Sequence, residues 1–310
     1  MTTGVAALTG ATGFLGRALC ETLKSRGWTL RVLARPDAAP IAGAEVVAGR
    51  LADLAALDRL VDGADLVVHV AGLVKARTPA GFGPVNILGA RHMAEAAARR
   101  APRAHVVLVS SLTAREPQLS AYAASKAAGE VEVREVVAPE HLTIVRPSAI
   151  YGPGDRETLA LFRAAARLPV LPSPGPARAR LAIIHVADAA AQIADLAGRD
   201  AEGRVFALAD GRPEGYGWRQ IMREAARAVG RRPWILPTPR AAILALGAAG
   251  SLAGRLGPAR IMTLGKAREA LHGDWSVRPD EQATGLTPAH FDLASGFADA
   301  VAWYRAQGWL

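Results

Sequence analysis

The first half of the chain alternates short, nearly continuous apolar runs with alanine-rich stretches that carry apolar residues at helical spacing. The runs are Val5–Thr9, Thr29–Ala34, Glu45–Val47, Leu66–Val70, His105–Ser110 and Leu142–Val145. Runs without a polar face predict strands covered on both sides, as in a parallel sheet. Between them helices are predicted to start near Phe14, Leu54, Val85 and Ser120. Repeated βα units of this kind predict an α/β fold with a Rossmann-type doubly wound parallel sheet. Its ligand should lie at the carboxyl ends of the strands.

After Pro147 the alternation stops, and Gly152-Pro153-Gly154 and the stretch from Pro169 to Pro176 punctuate the chain. Ile183–Val186 followed by Ala187–Ala197 reads as a return to the core, and Val205–Leu208 as a further strand. The expected division is therefore residues 1–150 plus 183–210 as the dinucleotide-binding domain, with 151–182 plus 211–310 as a smaller, discontinuous C-terminal substrate lobe. Within that lobe Ala241–Gly254 holds only Ala, Leu, Gly, Ile and Ser. It is too short to span a bilayer, and predicts a buried helix or an interfacial one.

Composition narrows the classes. With 310 residues, 51% of them apolar and 21% charged, the chain can bury a full core in one large domain or two unequal ones. No uncharged apolar run approaches the ~18 residues of a membrane span. The start of the chain runs straight into Val5-Ala6-Ala7-Leu8 without a basic segment or cleavage site, so no secretory signal is expected. The single cysteine, Cys20, excludes a disulfide framework and fits a reducing cytoplasm; within a helical pattern it reads as a small buried apolar residue. The net charge of +9 comes mostly from scattered arginines without interleaved aromatics. That pattern argues against nucleic acid and for attraction of phosphorylated small molecules.

The chemistry begins at Thr9-Gly10-Ala11-Thr12-Gly13-Phe14-Leu15-Gly16, which joins the first strand to the first helix. Glycines there permit a tight turn and close approach of backbone to a pyrophosphate, whose charge the helix N-terminus meets. At the end of the second strand stands Arg35, with no acid before Asp37. An arginine there accommodates a 2′-phosphate, so NADP(H) is favoured over NAD(H). Tyr122 and Lys126 are four residues apart, hence on one helix face, and Ser111 precedes them. A cation beside a phenol favours the phenolate and suits it to exchange protons with an alcohol oxygen that Ser111 would hold. These residues point to an oxidoreductase with a small-molecule substrate.

Those segments, in order, resemble an extended short-chain dehydrogenase/reductase of the NAD-dependent epimerase and dehydratase group. The similarity continues through His69-Val70-Ala71-Gly72, Asn86, Ser110-Ser111, Tyr122-Ala123-Ala124-Ser125-Lys126, Arg146 to Asp155, and His185-Val186-Ala187-Asp188. It implies that Tyr122 is the acid/base, Lys126 binds the nicotinamide ribose and Ser111 orients the substrate. It also implies that Ala71 and Gly72 line the cofactor, Pro147 and the residues after it contact the nicotinamide amide, Ile150 faces substrate, and Asn86 supports the active-site helix. His69 and His185 are expected to serve packing and hydrogen bonding. One departure is Gly49-Arg50-Leu51-Ala52-Asp53, where the family often has an acid after the glycine to accept from adenine; Arg50 cannot accept, which leaves Asp53, with Leu54 beside it, as substitute. Ser111 is followed by Leu112-Thr113-Ala114 rather than an acidic pair, which disfavours dehydration. Hydride transfer at a secondary alcohol or ketone and 4-epimerisation of a nucleotide sugar both remain open, and a non-catalytic dinucleotide-binding subunit is the reading from another class. Arg178 and Arg180 would hold a diphosphate in the nucleotide-sugar case, whereas the Ala241–Gly254 segment favours a partly apolar substrate. The family resemblance also implies a homodimer through the helices beginning near Val85 and Ser120. No metal is expected.

Overall fold

In a computed structural model of the chain, residues 4–200, 203–256 and 262–310 are described. The chain divides into two compact units: Met1–Arg146, Ala190–Ala207 and Ala283–Thr287 form the first, and Pro147–Ala189, Leu208–Gln282 and Pro288–Leu310 the second.

The first unit is built on β1 (Val5–Thr9), β2 (Thr29–Ala34), β3 (Ala44–Ala48), β4 (Leu66–His69), β5 (His105–Val109) and β6 (Leu142–Pro147). With strand Val205–Leu208 at one edge, the sheet order is Val205–Leu208, β6, β5, β4, β1, β2, β3. The pairings from β3 through β6 are parallel. The chain runs outward from β1 to β3 and then returns to β4 on the other side of β1. That reversal opens a crevice at the carboxyl ends of β1 and β4, the place where such sheets bind ligands. The helices are α1 (Phe14–Ser25), α2 (Leu54–Val61), α3 (Leu88–Arg100) and α4 (Ala121–Arg134). Val67, Val106, Leu108 and Ile144 from the strands pack with Leu57, Leu60 and Met93 from the helices. This is the Rossmann-type α/β architecture that the apolar runs predict.

One local feature differs from expectation, and Cys20 matches it. The segment near Val85 does not open a regular helix: a 3₁₀ turn at Pro79–Phe82 is followed by a π turn at Gly83–Ile87, and α3 begins only at Leu88. Pro84 has no N–H to give a regular ladder, and the widened turn carries Asn86 inward, where it is bonded. Cys20 is fully buried, and burial pushes its thiol up to about 11, so it packs as an apolar residue.

In the second unit Ala149–Tyr151 pairs in parallel with Ile183–His185, and Val170–Ser173 with Trp234–Pro237. Its core is aromatic: Phe297 meets Tyr151 and Phe162 edge-on, with centroids 5.0 and 5.1 Å apart, the geometry that ring quadrupoles favour. The Ala241–Gly254 segment is a helix, Arg240–Leu256, packed on helix Leu264–Leu271. Among the described residues no helix is long and apolar enough to cross a membrane.

Candidate active site

The turn after β1 requires glycine at its first position. Gly10 has φ +76°, and a Cβ there would stand 2.5 Å from the Ala71 amide nitrogen. The Gly13 amide donates to the Gly10 carbonyl at 2.9 Å, and Gly13 caps α1 without a side chain. No acidic residue lies in the first turn of α1, so its amide donors face no competing side-chain anion. Leu15 and Gly16 are buried, Phe14 is half-buried, and Thr12 and Gly13 are exposed. The Arg17 guanidinium adds a bond to the Thr12 carbonyl at 3.0 Å. A pyrophosphate would fit this cradle: Gly10 leaves no room for a side chain, the start of α1 has no side-chain cap or acid, and the Arg17 guanidinium is bonded to the turn.

Thr9, the last residue of β1, ties this turn to the end of β4. Its hydroxyl oxygen lies 2.9 Å from His69 Nδ1 and accepts from the Ala71 amide at 3.4 Å. His69 is buried; desolvation, and then the Lys126 charge, hold it far below an ordinary imidazole, at about 3. It is therefore neutral near pH 7. Its contact with Thr9 joins the ends of β1 and β4, just before Ala71 and Gly72.

Helix α4 supplies the next layer. Ser120 caps it by accepting from the Ala123 amide at 3.0 Å. Tyr122 is half-buried, with its ring 6.0 Å from that of Phe82. One turn on, Lys126 is buried and its ammonium donates to the Val109 carbonyl at the end of β5, 2.8 Å away. Burial lowers its pKa to about 8, with Glu130 opposing the shift, so the side chain stays mostly cationic at pH 7. A Cβ on Gly72 would lie 3.5 Å from Asn86 Oδ1 and 3.7 Å from Lys126 Nζ. Gly72, Asn86 and Lys126 thus converge on one spot.

Asn86 is saturated. Its Oδ1 accepts from the Leu73 amide at 2.7 Å, and its Nδ2 donates to the Leu73 carbonyl at 3.0 Å and to Ser125 Oγ at 2.8 Å. Ser125 in turn donates to the Tyr122 carbonyl at 2.7 Å. A Cβ on Gly129 would collide with the Asn86 carbonyl, so α4 and the π turn touch through backbone.

Ser111 stands at the end of β5 and caps the 3₁₀ turn Leu112–Arg115. Its Oγ accepts from the Thr113 amide at 3.2 Å and lies 2.9 Å from Thr113 Oγ1. Thr113 was not singled out by its sequence context, yet it shares a hydrogen bond with the serine hydroxyl. Equally unanticipated is the set around Glu130. Ser110 Oγ donates to it at 2.6 Å, and Arg146 grips both carboxylate oxygens at 2.8 and 2.7 Å. The signal was present as a second step of four residues, from Lys126 to Glu130 after Tyr122 to Lys126, down one face of α4.

The remaining sequence-derived positions are less committed. Arg35 follows β2 directly; its Nε is 3.9 Å from an Asp37 oxygen, with both side chains well exposed. Asp53 caps α2, its Oδ1 accepting from the Ala56 amide at 3.0 Å, and Leu54 begins that helix in an exposed position. In the second unit Pro147 is buried and Ile150 half-buried in a paired strand. Arg178 and Arg180 of that unit are exposed. His185 is buried, its ring tilted against that of Phe291 with centroids 3.9 Å apart and edge-on to Tyr151.

Comparison with known proteins gives the family. Residues 6–209 match the NAD dependent epimerase/dehydratase family. Over 314 aligned residues the chain is 50% identical to a ceramide reductase of Caulobacter vibrioides, covering 99% of this chain and 96% of that protein. A 4-hydroxy-2-methyl-3-oxo-4-farnesyl-3,4-dihydroquinoline-1-oxide ketoreductase of Stigmatella aurantiaca is 31% identical over 66% of this chain and 68% of its own. The crystal structure of gox2253 shares the fold with a TM-score of 0.79 and 24% identity over 99% of both chains. The chain is an enzyme that belongs to the NAD-dependent epimerase/dehydratase family.

Proposed function

We propose that this enzyme reduces a ketone on a ceramide-class lipid, or oxidises the corresponding secondary alcohol, with Ser111, Tyr122 and Lys126 as its catalytic set. The observation that carries the reading is the buried Lys126 cation, pinned to the Val109 carbonyl one helical turn from Tyr122. A fixed positive charge there lowers the cost of a phenolate at Tyr122 and so suits its hydroxyl to give up and regain a proton. The lipid class is suggested by the 50% identical ceramide reductase. A ceramide carries an amide carbonyl, whose resonance makes it a poor hydride acceptor, and a secondary alcohol. The reducible group is therefore the ketone that becomes that alcohol.

The first unit would hold the cofactor and the second the lipid. Gly10, Thr12, Gly13, Phe14, Leu15 and Gly16 would receive the pyrophosphate, Ala71 and Gly72 the nicotinamide ribose with Lys126, and Pro147 the nicotinamide amide. When bound there, the reduced nicotinamide would supply hydride for the carbonyl carbon. Ser111 steadies the carbonyl oxygen, with Thr113 fixing the serine hydroxyl. Tyr122 passes its proton to that oxygen, and Lys126 stabilises the phenolate left behind. Arg35, exposed just past β2, would face the 2′-phosphate of NADP(H) and make that cofactor the preferred one. Asp53 and Leu54 would border the adenine.

The test uses purified enzyme, a long-chain amido-ketone and NADPH deuterated at C4, with mass spectrometry of the product. Deuterium on the new carbinol carbon, with stoichiometric loss of NADPH, is the expected result. Tightly retained NAD, no net cofactor consumption and inversion of a nucleotide sugar would instead assign 4-epimerisation.

A further inference from the structure

The positive charge is not spread evenly. From residue 225 through residue 268 the sequence has no aspartate or glutamate and eight arginines or lysines, against a net +9 for the whole chain. Arginines that look scattered along the whole chain thus give this stretch of the second unit a net +8, with Arg227 and Lys266 paired to Glu224 and Glu269 just outside its two ends. The same stretch holds the largest exposed apolar groups of the described residues: Trp234 at 75% exposure, Leu252 at 62% and Leu246 at 60%.

These groups lie on two consecutive elements. Strand Trp234–Pro237 leads through Thr238 and Pro239 into helix Arg240–Leu256. The helix turns its inward side to helix Leu264–Leu271: Ile243 is buried there with Ala267 and Leu271, and Gly247 abuts the Ala267 methyl. Its outward side carries Ala242, Ala245, Leu246, Ala249 and Leu252, all exposed. A helix on the surface of a soluble protein ordinarily sets charged residues on that side. This one has none from Ala241 through Gly254. Arg231, Arg232 and Arg240 are exposed at its entrance.

We propose that strand Trp234–Pro237 and helix Arg240–Leu256 form a docking surface for an anionic lipid bilayer. Leucine and tryptophan side chains partition into the headgroup–acyl boundary while nearby arginines meet anionic headgroups, and neither contribution requires a span. The occupant is chosen by charge and chemistry together. A second copy of the same surface would set two acid-free basic stretches against each other. A nucleic acid would answer the arginines but leave the apolar side wet. The inference stands on this surface alone and does not depend on which lipid, if any, is the substrate.

The test is flotation of the full-length protein with vesicles of phosphatidylcholine alone or mixed with phosphatidylglycerol, at low and high salt. The expected result is recovery with the phosphatidylglycerol vesicles at low salt and release at high salt, because the attraction is screened. Leu246→Glu with Leu252→Glu, and separately Arg231→Glu with Arg232→Glu, should each weaken partitioning about tenfold or more. Melting temperature and NADPH binding report that each variant is folded. The proposal is overturned if the protein stays unbound with both vesicles, if flotation is indifferent to both double variants, or if the leucine variants instead convert a dimer to a monomer.

Discussion

Asn86 Nδ2 donates to Ser125 Oγ at 2.8 Å, locking the π turn after β4 to the α4 helix one residue before Lys126. The same amide holds both backbone groups of Leu73. Asn86 and Ser125 therefore help set where the Tyr122 and Lys126 side chains begin.

Asn86→Ala takes the side-chain partner from the Leu73 amide and carbonyl and leaves the Ser125 hydroxyl only its bond to the Tyr122 carbonyl; each of these groups left unpaired out of reach of water costs about 1–3 kcal/mol. A positioning role predicts a fall in kcat of about tenfold or more with a smaller change in KM for the substrate. Ser125→Ala should show a milder form of the same split. A stability loss in Asn86→Ala with unchanged kcat would assign the residue to structure alone.

Lys126 gives a pH signature. Burial lowers its folded pKa to about 8 from an ordinary lysine value, so the unfolded chain binds more protons between about pH 8 and the ordinary lysine value near ~10.4. Its contribution to stability therefore rises with pH across that window, and below about 8 the full cost of burying the charge is present. Lys126→Met should abolish catalysis yet raise the melting temperature near pH 7, with the gap to wild type narrowing above about pH 8. Melting curves of both proteins from pH 6 to 10 check the sign.

Glu130 sits buried beneath Lys126 with Arg146 on both of its oxygens. Removing one member of such a pair costs about 3–5 kcal/mol, because the other charge is left without its partner. Glu130→Gln should unfold at markedly lower denaturant, and Glu130→Gln with Arg146→Met should recover part of the loss. Equilibrium urea titrations of the two variants make the comparison.

What the sequence reveals and what it hides divides by length scale. The strands are legible because strands buried on both faces must be almost wholly apolar, as Leu66–His69 and Leu142–Val145 are apart from His69 and Thr143. The glycine-rich turn and the Tyr122–Lys126 pair are legible because their spacing is local. The Asn86–Leu73–Ser125 bonds and the Ser110–Glu130–Arg146 cluster join residues 13 to 39 positions apart in the chain, and no periodicity encodes those pairings. The π turn was hidden for a related reason. Its wide backbone is stabilised by what Asn86 finds across the fold, not by helix propensity. The alanine-rich helix Arg240–Leu256 could be read from composition as apolar, but composition does not say which side faces water.

Arg35 should matter for one cofactor and not the other. It is exposed just beyond β2, so a bond to a 2′-phosphate would be charge-assisted but solvent-screened. Arg35→Ala should raise the Kd for NADPH about tenfold, equivalent to ~1.4 kcal/mol, and leave that for NADH nearly unchanged. Equal loss for both nucleotides would remove the arginine from 2′-phosphate recognition.

The most direct measurement is turnover of Tyr122→Phe beside its affinity for NADPH. Loss of the phenolic hydroxyl removes the proton donor while the ring packing near Phe82 remains. The expected result is a fall in kcat of about 10²–10⁴-fold, the range for a general acid, with NADPH binding and melting temperature close to wild type. Turnover near the wild-type rate would contradict the assignment of Tyr122 and, with it, the catalytic set proposed here.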